Sequence, residues 1–464
     1  MMHRQTVGQE TRRYELTRIP WLKRLFVSRR PLFLARAVTL AGFILTIVAG
    51  LIGSPVGSHN FAIIFVWIAW WTFLKLVAIP FGGRAWCSIC PIPAMGEWLQ
   101  QGALVKPGGR GMGLGRPWPK RLRNIWLPTG AFAVIGLFSA VTLTQPRVTG
   151  WILLGLVVLA VALSLVFERR AFCRYVCPIS GFIGLYSRVA PVEVRVKDRA
   201  VCATHAEKTC VTGNAQGYGC PWQAIPLALT QNTNCGLCME CLRSCPRDNI
   251  AVNVRSFGAD LAQRAGRSLD QAYFGFMMLG SVVMYSAVML GAWGDLKTAA
   301  YNVGTPGWFV YSAVLLASTL GVLPGLFLLA VWTGRALAGS NVSLNKTFIA
   351  QSHAIIPLGL MAWVAFTISF AFAKFSYVWS VLSDPFGWGW NLFGAAQWPW
   401  TPYLSSATPL LQVLALLCGL AWTSIWVRRI AQEELPEKSA ARQSLPIMLY
   451  CLLFTIGMLW LLVG

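Results

Sequence analysis

Cys235-Gly236-Leu237-Cys238-Met239-Glu240-Cys241-Leu242-Arg243-Ser244-Cys245-Pro246 sets four cysteines in the spacing C-x2-C-x2-C-x3-C-P. Thiolates at this spacing hold [4Fe-4S] clusters. A zinc site ordinarily builds two C-x2-4-C pairs set well apart, so four close thiols ending in proline read as a cluster loop. On both sides of the loop the chain turns apolar. Of its 464 residues, 56% are hydrophobic and 12% charged, against about 25% charged in soluble domains. The reading is a cluster-binding module set into a polytopic membrane protein.

Apolar runs long enough to span a bilayer, about 17 to 25 residues, are expected at 33–53, 61–81, 124–145, 149–167, 272–294, 307–332, 347–374, 406–427 and 445–463. A net charge of +23 is a feature of nucleic-acid binders, but its placement decides otherwise. With the N-terminus inside, every Lys and Arg except Arg147, Lys297, Lys374 and Lys75 falls on the cytoplasmic side, as the positive-inside rule requires. The charge is then a topology signal with affinity for anionic lipid headgroups, and no nucleic-acid partner is needed. A basic stretch precedes the first run without a small-residue cleavage site, so that helix is expected to be retained. Four segments follow: a basic cytoplasmic N-terminus at 1–32, a four-helix membrane part at 33–170, a cytoplasmic module at 171–266, and a five-helix membrane part at 267–464. The last carries a Trp-rich outer loop at 375–405. Cysteines facing a reducing compartment are expected to ligate or undergo redox chemistry rather than form structural disulfides.

Within the first membrane part the chain repeats itself. Phe81-Gly82-Gly83-Arg84-Ala85-Trp86-Cys87-Ser88-Ile89-Cys90-Pro91-Ile92 aligns with Phe167-Glu168-Arg169-Arg170-Ala171-Phe172-Cys173-Arg174-Tyr175-Val176-Cys177-Pro178-Ile179. Each copy follows the second helix of a hairpin, so Cys87, Cys90, Cys173 and Cys177 are expected to meet at the cytoplasmic surface. Proline suits a first helical turn, and a thiol at a helix N-terminus beside Arg84 or Arg170 is expected to have a depressed pKa. The set reads either as a further metal or cluster site or as redox-active dithiols.

In two-cluster ferredoxins the fourth cysteine of each motif serves the other cluster. The same exchange here gives Cys235, Cys238, Cys241 and Cys220 for one [4Fe-4S] cluster, and Cys202, Cys210 and Cys245 with His205 for a second. Val192–Val196 alternates like a strand, and Pro246–Val254 reads as a turn and a strand. The fold class is therefore mainly α, a polytopic membrane protein with about nine transmembrane helices, N-in and C-out, carrying an inserted cytoplasmic α+β module like a bacterial ferredoxin.

The order C-x-x-C-P, C-x-x-x-C-P, then a ferredoxin module resembles the NapH and NosR type of membrane iron-sulfur protein, related to the maturation ferredoxins of cbb3-type oxidases. The resemblance covers roughly residues 30–255. It implies a bacterial inner-membrane electron-transfer protein working with quinol or with a redox partner in support of an extracytoplasmic reductase. Two departures are plain. The chain has no flavin-attachment sequence of the NosR kind, and five spans follow the module where a NapH-type chain would end.

The second membrane part is poorer in chemistry. Cys418 and Cys451 lie in mid-span without partners. His353 is a candidate for quinone contact or proton transfer, because ionisable groups inside a membrane are functional candidates. No intramembrane histidine pair exists for haem b and no C-x-x-C-H for haem c. The leading reading is electron exchange between the quinone pool or a redox partner and cytoplasmic [4Fe-4S] clusters. The alternative is a copper-handling maturation factor that uses the clusters as reductant. Absence of paired charges in the spans speaks against a transporter. Nothing in the sequence sets the oligomeric state.

Overall fold

The computed structural model of the protein describes residues 13–105, 107–204, 206–290 and 293–464. His205 lies outside the described residues. Among the described residues, eight helices are long and apolar enough to cross a membrane. They are Arg30–Ile52 (α1), Phe61–Gly82 (α2), Pro146–Val166 (α4), Leu269–Met289 (α5), Pro306–Ala338 (α6), Leu344–Lys374 (α7), Thr408–Gln432 (α8) and Glu437–Val463 (α9).

The run expected at 124–145 differs. Its helix is Trp126–Leu137 (α3), which stops at Phe138 and is followed by a separate turn over Ser139–Thr142. The break leaves carbonyls without helical partners, and inside a bilayer such groups must be satisfied by protein. Tyr311 Oη donates to Gly136 O at 3.2 Å and Trp308 Nε1 to Leu137 O at 3.2 Å. Donors on α6 therefore make the break tenable. At the two ends of this segment, Ile125 N–H donates to Asp270 at the start of α5 (2.9 Å), and Thr144 O lies beside Gly57.

Several helices are interrupted where their sequence demands it. α2 is π-wound over Ile64–Trp70 and again over Leu74–Ala78. α7 bends after Ser352 and resumes at Ile356, with Pro357 in its new first turn. Close packing of α1 on α4 depends on Gly50, where a Cβ would lie 2.9 Å from Pro146 O and 3.1 Å from Gly150 Cα.

On the face where α1 begins sits the small module. Its sheet has the order β1-β3-β2, all antiparallel, with β1 at Tyr14–Glu15, β2 at Val192–Val196 and β3 at Ile250–Val254. The two longer strands lie where the alternation places them, while β1 comes from the N-terminal segment and pairs Tyr14 with Val254. Beneath the sheet, Glu193 holds Arg13 (2.9 Å) and Arg255 (2.7 Å), and Arg255 also meets Asp260 (2.5 Å). Glu193, Arg255 and Asp260 are buried and paired, as charge out of water must be, while Arg13 reaches Glu193 from the surface.

Part of the segment before β2 packs against the membrane helices. The helix Pro178–Tyr186 is almost wholly buried, and Phe182 stands edge-on to Trp71 and Trp363, with both centroids at 5.5 Å. On the far face the Trp-rich segment folds back on itself. Asp384 accepts from the amides of Trp388 (3.0 Å) and Gly389 (2.7 Å), while Pro385 O and Phe386 O accept from Phe61 N and Ser54 N. That loop ties the second membrane part to the α1–α2 hairpin.

Candidate iron-sulfur sites

Cys235 and Cys238 lie on the loop leading into the helix Glu240–Ser244, Cys241 lies in its first turn, and Cys220 comes from the segment before the loop. All four line one small cavity together with Trp222, Pro226 and Leu229. The loop is wound tightly, with Leu237 at φ 52° and Met239 at φ 62°. Left-handed backbone costs an L residue about 1–2 kcal/mol, and strain of this kind collects at functional sites. It turns the amide of Leu237 onto Cys235 and that of Glu240 onto Cys238.

A second cavity is lined by Cys202, Cys210 and Cys245. Cys245 thus stands apart from the other three cysteines of its own run, and Cys220 takes its place among them. Asn249 binds the second set together: its backbone N–H donates to Cys245 Sγ (3.3 Å) and its Nδ2 to Cys202 Sγ (3.3 Å). Sequence reading passed over Asn249, although its place four residues after Cys245, at the entry to β3, is where an amide can reach back.

The third set joins the two copies of the repeat. Cys87 lies in the helix Ala85–Ile89 and Cys90 caps it; Cys173 lies in the helix Ala171–Tyr175 and Cys177 caps the helix Pro178–Tyr186. The charges of Cys87 and Cys177 bear on Cys90, and those of Cys177, Cys90 and Cys87 on Cys173, so the four sulfurs share one neighbourhood. Around them run buried ion pairs. Arg170 grips Glu97 with two N–H groups, the second at 2.8 Å, and Arg36 meets the same carboxylate at 3.3 Å.

Thiol acidity departs from the sequence expectation. Burial pushes Cys177 up to about 12, with the Ser180 amide opposing it, and raises Cys90 and Cys173 as well. In the module, burial lifts Cys235 to about 11 and Cys238 to about 12. Desolvation outweighs the helix termini and the arginines. Thiolates in such places are stabilised by a bound cation, which deprotonates the thiol outright. Among the described residues no three Cys, His, Asp or Glu side chains converge as ligands of one ion do. A tetrahedral ion holds sulfur about 2.3 Å from a single centre, whereas each thiolate of a four-iron cluster takes its own iron. Thiols spaced around a cavity fit the second arrangement.

His353 stands elsewhere. It is buried, with Nδ1 against Ile349 O (2.7 Å) and Nε2 against Gln271 Oε1 (3.3 Å). Gln271 also accepts from Arg188, whose Nε donates to Thr233 Oγ1 (3.1 Å). Cys418 is exposed and Cys451 buried, and neither lines the three sets.

Comparison with known proteins gives the class. A family described as 4Fe-4S binding domain matches residues 63–121 and 149–197. Those stretches contain the two repeat copies, Cys87 and Cys90 in one and Cys173 and Cys177 in the other, and they stop short of the run at 235–246. Similar curated proteins include the methylamine utilization ferredoxin-type protein MauN of Paracoccus denitrificans, 28% identical over 26% of this chain and 45% of MauN. The putative electron transport protein YccM of Escherichia coli is 32% identical over 17% of this chain and 20% of YccM. A third, an uncharacterized protein of Methanocaldococcus jannaschii, is 27% identical over 22% of this chain and 38% of its own length. The chain thus spans less than half the length of each of these relatives. No solved structure matches. The matched domain and the ferredoxin-type relatives support an iron-sulfur, electron-transfer function.

Proposed function

We propose that the protein exchanges electrons between a membrane quinone or quinol and [4Fe-4S] clusters held by its three cysteine sets. The observation that carries this reading is an apolar cavity of about 450 Å³ between α1, α2 and α4. It opens toward lipid past Val38 and Phe73, 63% and 47% exposed, and it ends on Cys90 and Pro91. Its volume suits a small molecule, for which sites run about 300–1,000 Å³.

The cavity wall is nearly all carbon. Thr39 and Thr46 donate to backbone carbonyls, Ile89 O and Gly42 O, both at 2.7 Å. Among the described residues that leave a donor free at the cavity are Trp70 and Trp86, whose buried indole N–H groups have no acceptor. A flat apolar ring with carbonyl oxygens fits such walls. A rotation of the Trp70 or Trp86 indole brings its N–H to these oxygens, the tail leaves between α1 and α2, and the ring stands against Cys90.

Interconversion of quinol and quinone moves two electrons and two protons. When bound, an iron-sulfur cluster supplies a one-electron carrier, so two electrons divide between successive sites. The chain's own task is to hold those sites dry and close together. Glu97 and Arg170 fix the loop of Cys87, and the cavity lies toward the module face, where water exchanges the protons. We place that face in the cytoplasm of a bacterial inner membrane, with nine crossings and the C-terminus outside, because the basic residues gather there.

The test is quinol oxidation by purified, iron-loaded protein, followed by EPR of the reduced clusters. One neutral hydrogen bond contributes about 1 kcal/mol, and 1.4 kcal/mol is tenfold in affinity. Trp70→Phe with Trp86→Phe should therefore raise the KM for a soluble quinol analogue about tenfold or more with iron content unchanged. If loaded wild-type protein exchanges electrons with no quinone analogue, the reading is refuted.

A further inference from the structure

Each copy of the repeat carries an arginine three residues before its first cysteine, and each arginine lodges against the other copy. Arg84, 5% exposed, donates to Ser180 Oγ in the helix that follows Cys177, and to Thr233 O two residues before Cys235. Its guanidinium lies 4.1 Å from the ring centroid of Trp222, a residue of the Cys220/Cys235/Cys238/Cys241 cavity. Arg170, 3% exposed, donates to Cys87 O from the first copy, and its backbone N–H donates to Pro221 O (3.1 Å), next to Cys220. Each arginine therefore touches the membrane-surface set and the module set at once.

We propose that Arg84 and Arg170 form a cationic bridge that sets the reduction potentials of these two sites together. They act as positioning residues, and the inference rests on the reading that both sets hold [4Fe-4S] clusters. Cluster potentials respond to nearby charge and hydrogen bonds, and a cation in a dry setting acts at full strength. Adding an electron adds negative charge, so a shared cation favours reduction at both sites. The negative charge added at one site also repels charge added at the other and makes its reduction harder. A purely structural role, knitting the module to the bundle, would not move potentials in step.

Two substitutions of opposite sign test this in the full-length, reconstituted protein by EPR-monitored redox titration, with signals assigned through Cys177→Ser and Cys235→Ser. Arg84→Gln removes the cation and should shift both midpoints to more negative potential. Glu97→Gln removes the carboxylate held by Arg170 and nearly preserves its shape; it should shift both to more positive potential. Arg121→Gln, on the exposed basic loop, should shift neither. Should Arg84→Gln fail to load iron, Glu97→Gln decides alone. A shift confined to one site, or none at either with iron content intact, overturns the bridge. Wild-type protein with no cluster signal dependent on Cys177 would instead overturn the reading beneath it.

Discussion

Gly236 lies inside the cysteine run, and the space at its Cα is already filled. A Cβ placed there would overlap Trp222 Nε1 and sit 2.9 Å from Cε2 and 3.1 Å from Cδ1. Trp222 has little freedom to yield: it is 1% exposed and pressed under the Arg84 guanidinium at 4.1 Å. Gly236→Ala must then move the loop by about an ångström or more, or displace the indole. Overpacking of this kind costs about 1–3 kcal/mol, and here the cost falls on the geometry of Cys235 and Cys238. The expected result is a lower unfolding temperature and faster loss of module iron to a chelator, with the Cys87/Cys90/Cys173/Cys177 set less affected. Trp222→Leu removes both rings, with the Nε1 and Cε2 atoms that a Cβ would strike, and so opens the space it needs. By itself it should cost about 1–3 kcal/mol as a partial cavity. Residues in contact depart from additivity by about 0.5–3 kcal/mol, so the double substitution should be milder than the sum of the two. Strict additivity, or a Gly236→Ala protein with wild-type iron retention, would refute the reasoning.

Asn249→Ala removes the amide donor to Cys202 Sγ and leaves the backbone donor to Cys245 in place; the second module site should titrate at more negative potential in EPR, with the first unmoved. The carboxyl of Glu97 is buried, which by itself raises its pKa, but Arg170 and Arg36 more than offset this and hold it below its ordinary value. A depressed folded pKa contributes stability above the unfolded value, about 4.3, and loses it as pH falls further; thermal unfolding from pH 7 down past that value should show an acid-side loss that Glu97→Gln reduces. Tyr311→Phe leaves Gly136 O without its donor. A buried unsatisfied carbonyl costs about 1–3 kcal/mol, read as a lower unfolding temperature in detergent with cluster content unchanged.

The eight long helices stand within a few residues of where the apolar runs place them at most ends, because length and hydropathy alone define such segments. α3 could not be read that way: its break is tolerated only because Tyr311 and Trp308, far away in sequence, supply donors. The strands β2 and β3 show in their alternation, whereas Tyr14–Glu15 is too short to carry a period. Repeat spacing pointed to Cys87, Cys90, Cys173 and Cys177 as one group. It could not show that Arg84 and Arg170 each cross to the opposite copy, nor that burial raises the thiols, since both depend on which surfaces close over them. The apolar cavity at Cys90 was hidden for the same reason: Trp70 and Trp86 look like ordinary interfacial tryptophans until their N–H groups are found without acceptors.

The second membrane part, which contributes no thiol to the three sets, acquires a physical role from Phe182. That residue is fully buried four positions after Pro178, and its cage is Trp71 and Phe132 from the first part with Trp363 from the second. Tyr186, one turn on, would collide with any side chain at position 359, since a Cβ on Gly359 would lie 2.8 Å from its hydroxyl. α5 and α7 therefore close the back of the helix that Cys177 caps. Without them that helix would face lipid or water on one side, and solvent beside the thiols would screen Arg84 and Arg170. Dry packing from the C-terminal helices is thus what lets two arginines act strongly on sites in both the bundle and the module.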